Sequence, residues 1–100
     1  GELYRENNEG LIENTYTLSV SNKSQDPVSV DLSLDAQQPF NWIGQQQVLL
    51  QAGETRSVTI SLALDTAGIT KRNLDVNFKV KLTDKPQVSL EQNSTFFVGR

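Results

Sequence analysis

"LDVNFKVKL", residues 74–82, puts Leu74, Val76, Phe78, Val80 and Leu82 at every second position, opposite Asp75, Asn77, Lys79 and Lys81. A helix turns about 100° per residue and would scatter five such residues around its axis. An extended strand places all five on one face. The stretch therefore predicts a strand with one buried and one wet face, and its Val and Phe content suits such a surface.

The same alternation recurs. "TYTLSVS" aligns Tyr16, Leu18 and Val20; "VSVDLSL" aligns Val28, Val30, Leu32 and Leu34; "VTISLAL" aligns Val58, Ile60, Leu62 and Leu64. Shorter strands are expected around Val48 and Leu50 and over 88–98, and the lead-in offers a seventh around Leu11 and Ile12. Turn chemistry separates them in "NKSQDP", "DAQQP", "QAGE" and "TDKP". The connection 65–73 has room for one helical turn. About seven antiparallel strands at roughly ten-residue spacing predict an all-β fold, an immunoglobulin-like β-sandwich without a disulfide. A small closed barrel is the alternative. The expected core is Leu18, Val30, Leu32, Val58, Ile60, Leu62, Val76, Phe78 and Val80, with Asp31, Asn77, Lys79 and Lys81 exposed.

One hundred residues make one domain, large enough for a modest core. The net charge of −3 comes with scattered cations, so no basic stripe faces nucleic acid. No apolar run reaches the roughly 18 residues of a spanning helix. The chain has no Cys, His or Met. Zinc, copper, haem and iron–sulfur sites thereby lose their usual ligands, and serine or cysteine chemistry through His is impossible. With no Met and Gly1 at its start, the chain is expected to be part of a longer protein, with any membrane segment upstream.

Candidate sites are few. Glu6 with Glu9, or Asp31 with Asp75, are the carboxylate pairs available for glycoside hydrolysis, but they read as solvated surface charge. Asn22-Lys23-Ser24 and Asn93-Ser94-Thr95 match the glycosylation sequon, a pattern common by chance. Trp42 in "PFNWIG" reads first as a core-edge residue and second as an anchor for a partner. Asn41, Trp42, Leu50, Phe96 and Val98 are the candidate partner-binding positions. The strands around Val48–Leu50 and Phe96–Val98 are the expected sheet edges, whose unpaired backbone can accept a partner strand. On that reading, Pro at Leu50 or Val98 removes an edge donor.

The opening carries a more specific pattern: "LYRE" at 3–6, "GLIENTYTL" at 10–18 and the Asn22 turn, followed by "AGE" at 52–54, "SLALD" at 61–65 and "FKVKLTD" at 78–84. It resembles the C-terminal immunoglobulin-like domain of the FixG/CcoG family of cytochrome c oxidase accessory proteins. The resemblance implies a membrane protein with iron–sulfur clusters, associated with maturation and copper handling of cbb(3)-type oxidase. It implies a sandwich following the last membrane segment, on the periplasmic side by analogy with similar sandwiches. Residues 1–10 are then the exit from the membrane region and 11–100 the sandwich. The clusters belong upstream and no catalytic, cofactor or metal residue transfers to this chain. The expected role is a non-catalytic interaction or scaffold domain, with an oxidase subunit, a copper chaperone or a second copy of itself as partner. The alternative is a binding module attached to an extracellular carbohydrate-active enzyme. Only seven aromatic residues are present, few for a sugar platform.

Overall fold

Each alternating stretch becomes a strand in the computed structural model, which describes residues 4–99. The strands are β1 (Arg5–Glu6), β2 (Ile12–Ser21), β3 (Val28–Asp35), β4 (Asn41–Ile43), β5 (Gln47–Leu50), β6 (Thr55–Leu64), β7 (Asn73–Leu82) and β8 (Ser89–Phe97). They form two four-stranded antiparallel sheets, ordered β1-β2-β6-β4 and β5-β3-β7-β8. Neither sheet closes on itself, so the fold is the open sandwich and not the barrel.

Period two carries directly into burial. Leu18 and Val20 of β2 and Val58, Ile60 and Leu62 of β6 face Val30 and Leu32 of β3, Val48 and Leu50 of β5, and Val76 and Phe78 of β7 across one apolar core. Fully burying each such side chain contributes about 1.5–3 kcal/mol relative to leaving it in water. Phe78 is the aromatic hub: its ring meets Tyr16 edge-on at 4.9 Å and Trp42 at 6.0 Å. Phe40 and Phe96 form a similar pair at 4.9 Å.

Several expectations are refined. Ile12 opens β2 and does not form a separate strand; the additional elements are the two-residue β1 and the three-residue β4. Residues this short show no period. The connection 65–73 holds a turn at Gly68 (φ +80°), not a helix. Within the expected exit segment 1–10, Arg5 and Glu6 pair with Glu13 and Ile12; residues 1–3 and Arg100 lie outside the described residues. Val80 is half-buried because it lines an opening between the sheets. Asp31, Asn77, Lys79 and Lys81 are half-buried too, not exposed. They sit on central strands, where long cross-strand neighbours cover them. Asp31 accepts from Thr83 Oγ1 (3.0 Å) and Gln47 Nε2 (3.2 Å), and Lys79 lies between Asp35 (3.8 Å) and Glu91 (3.6 Å).

The Asn22 turn is held by one side chain. Nδ2 of buried Asn22 donates to the carbonyls of Asp26 (2.8 Å), Gln51 (3.0 Å) and Leu50 (3.3 Å), while Oδ1 accepts from Ser24 N (3.0 Å) and Oγ (2.7 Å). It joins the β2–β3 connection to the end of β5, which explains why an amide stands there.

Candidate functional site

The chemistry on offer is backbone hydrogen bonding at strand edges. In an antiparallel ladder, opposed residues alternate between pairs that exchange both bonds and pairs that exchange none, so one bond sets the phase of the whole strand. On β5, Leu32 N–H donates to Gln46 O at 2.7 Å. Stepping by two, Val48 and Leu50 bond inward to β3, and Gln47 and Leu49 turn their backbone groups to the free edge. On β8, Leu82 N–H donates to Val88 O (3.1 Å) and Val98 N–H to Arg72 O (2.8 Å). The outward groups there are those of Ser89, Glu91, Asn93, Thr95 and Phe97.

β5 and β8 are therefore the two edges of their sheet, as the shortness of the one and the last place of the other in the sequence suggest. The individual residues are placed differently from expectation. Leu50, Phe96 and Val98 are at most 1% exposed, and the backbone N–H groups of Leu50 and Val98 point inward. Proline at either position would remove a ladder bond and test folding, not docking. Leu49, with its side chain half in water and its N–H at the free edge, is the informative position. Asn41 is exposed on β4. Trp42 is half-buried against Phe78 and its Nε1–H donates to Gln45 O at 3.3 Å, so it closes the core edge.

The far end of β8 is not free. Asn14, on the inner face of β2 and 2% exposed, donates from Nδ2 to Phe97 O (3.0 Å) and accepts from Phe97 N–H (2.7 Å). Tyr16 O–H donates to Thr95 O at 3.0 Å, and burial pushes its phenol pKa upward. Two side chains of one sheet thus satisfy the edge of the other. Tyr4 packs where a Cβ on Gly99 (φ +89°) would collide with its ring. None of this was read from the sequence, although continuing the phase of Tyr16 and Leu18 backwards puts Asn14 on the inner face.

The carboxylates form no catalytic pair. Asp31 opposes Lys81, six residues along β7 from Asp75. That separation is about 20 Å at roughly 3.3 Å per residue, beyond either glycosidase geometry. Glu6 and Glu9 are exposed beside the Asn7 turn. Among the described residues no group of three metal-capable side chains comes together. Calorimetry with Cu(I), Cu(II) and Zn(II) is expected to find no stoichiometric site tighter than micromolar, because thiolate, imidazole and thioether ligands are missing from the chain.

Among the described residues, Glu13 is the one buried carboxylate, at the β1–β2 corner. The hydrogen bond from Asn7 Nδ2 (3.1 Å) holds its pKa below 4.5; burial opposes the shift, and Arg5 (3.0 Å) adds to it. A depressed folded-state pKa stabilises fully above 4.5 and is lost as pH falls through the lower folded value. Acidification should therefore release β1 from β2, seen as faster amide exchange at Arg5, and Glu13→Gln should abolish that pH dependence.

Residues 1–99 match the family described as "IG-like fold at C-terminal of FixG, putative oxidoreductase". A crystal structure of a FixG-related protein from Vibrio parahaemolyticus superposes with a TM-score of 0.81 at 26% identity, over 94% of this chain and 89% of that one. A search of curated proteins gave no match.

Proposed function

The chain belongs to the family of immunoglobulin-like domains at the C-terminus of FixG, and from that premise we propose that it is a non-catalytic docking domain of a membrane-bound iron–sulfur accessory protein. That protein would serve the maturation and copper handling of cbb(3)-type cytochrome c oxidase, with this domain on the periplasmic side. The observation that carries the reading is the family match over 99 residues. Two features support it. The chain lacks the residue types that hold clusters or copper, so electron transfer would run upstream of it. Its accessible chemistry is free strand edge, which suits an oxidase subunit, a copper chaperone or a second copy. No described helix is long and apolar enough to cross a membrane, so attachment would come from other segments. The aromatic rings of Tyr16, Phe40, Phe78, Phe96 and Trp42 pack on one another, which weighs against a carbohydrate platform.

The test separates docking from chemistry. Copper handling by reduction of the metal would use the upstream clusters, so the full-length accessory protein lacking this domain is expected to retain metal reduction in detergent and to support less assembled oxidase in cells. Loss of the reducing activity itself would sink the non-catalytic reading. Within the domain, Leu49→Pro should weaken recovery of the partner in crosslinked membranes if β5 is the docking edge, with folding unchanged because Leu49 N–H serves no ladder bond.

A further inference from the structure

Among the described residues, β2 presents the longest uncovered edge. Asn22 N–H donates to Glu54 O at 2.8 Å, which fixes the even-numbered residues of β2 as those bonded to β6. The odd-numbered ones face the other way, as the bond from Asn7 N–H to Leu11 O (2.8 Å) shows at the β1 corner. β1 covers only Ile12 and Glu13. Among the described residues, the backbone groups of Thr17, Ser19 and Ser21 on that side meet no strand.

Natural edges are guarded by charge, proline, bulges or shortness. β5 is short, and β8 carries Glu91 along its free half and is capped by Asn14 and Tyr16 at the other. β2 from Thr15 to Ser21 has none of these devices, only Thr and Ser on its wet face. Alongside it the sandwich splays. The gap is closed where Asn14 and Tyr16 reach Phe97 and Thr95, and it opens between Ser19–Ser21 and Ser89–Gln92. The opening is a groove of about 310 Å³ floored by Leu18, Val20, Phe78 and Val80, with Val88 (50% exposed) and Leu90 (75% exposed) on its far lip.

An apolar floor beside a row of unpaired amides and carbonyls has one matching chemistry. The row pairs with another backbone, and the floor takes side chains from every second residue of that backbone. Resting on the docking reading above, we infer that the β2 edge at Thr17–Ser21 accepts an extended segment of a partner polypeptide, apolar at alternate positions. It adds as a strand along β2 beyond the residues that β1 pairs and inserts its apolar side chains between β2 and β8. Five paired residues span about 17 Å. The domain's net charge of −3 favours a segment with basic flanks.

The probe is the synthetic peptide Lys-Thr-Val-Thr-Val-Thr-Val-Thr-Lys with blocked ends, alongside the same sequence N-methylated at alternate residues to remove one row of donors. Amide exchange of the labelled domain is read by NMR. The unmodified peptide should slow exchange at Thr17, Ser19 and Ser21 at least tenfold, and the form whose pairing row is methylated should not. Ser19→Pro removes an edge donor and no ladder bond. Leu90→Asp changes an exposed lip residue and keeps the test alive should the proline variant misfold. Each should weaken peptide binding at least tenfold at an unchanged melting temperature. Four results would overturn the inference: no slowing; slowing at Gln47 and Leu49 instead; protection of Thr17–Ser21 before peptide is added, meaning the protein's own chain covers the edge; or binding of Val88 and Leu90 to phosphatidylcholine vesicles in place of peptide. The readout involves no oxidase, so its failure leaves the dependence of oxidase assembly on the domain as a separate question.

Discussion

Phe78→Ala is expected to destabilise the domain by about 3–5 kcal/mol, the usual cost of deleting a buried phenyl ring and leaving a cavity. Phe78 is 2% exposed on β7, the strand that bonds to both β3 and β8. Its ring is the shared neighbour of Tyr16 and Trp42, which lie on the opposite sheet. Removing it takes away transfer energy and two edge-to-face contacts at once. The site cannot collapse readily, because Tyr16 is tied to Thr95 O and Trp42 to Gln45 O. Urea unfolding measures the loss. A cost below about 1 kcal/mol would mean that β7 does not present this face to the core.

Asn14→Ala should cost about 1–3 kcal/mol, because it leaves a half-buried donor and acceptor of Phe97 without their partner. The two bonds, 2.7 and 3.0 Å, run from the inner face of β2 to the edge of β8 and, with the bond from Tyr16 to Thr95 O, zip the sheets together. Asn14→Asp distinguishes this role from simple packing. The carboxylate still accepts from Phe97 N–H but sets its second oxygen against Phe97 O, so the variant should be destabilised at neutral pH. Protonation supplies a donor again, and stability relative to wild type should recover as the pH falls through the Asp pKa. A flat difference across pH would show that the amide acts by volume alone. Amide exchange at Phe97 should rise with either substitution.

Much of the fold is legible because local physics and global burial agree. The alternation of Leu74 to Leu82, or of Val58 to Leu64, is dictated by a sheet with one wet face, and it survives as burial at Leu74, Val76 and Phe78 and at Val58, Ile60, Leu62 and Leu64, whereas Asn77 and the residues from Lys79 to Leu82 are all half-buried. β4 escaped notice because three residues carry no period. Asn14 and Glu13 escaped because each is polar, and a polar residue gives no apolar signal whether it points to water or into a sandwich.

By itself the sequence determined the strands other than β1 and β4, most of their inward faces, the single core, the resemblance to the FixG C-terminal domain and the lack of usual ligands for clusters or copper. It also singled out the segments of β5 and β8 that prove to be edges. Only the tertiary structure decided that Leu50, Phe96 and Val98 are buried, that Gln47 and Leu49 hold the free donors of β5, and that the sandwich is zipped at Asn14 and Tyr16 and open at Ser19–Ser21. The physical reason lies in what each level encodes. Side-chain direction has a period of two that one strand displays alone. Which way a backbone group points to a neighbour, and whether that neighbour exists, depends on register and on where the other sheet ends. Those are relations between distant segments, and they exist only once the chain has folded.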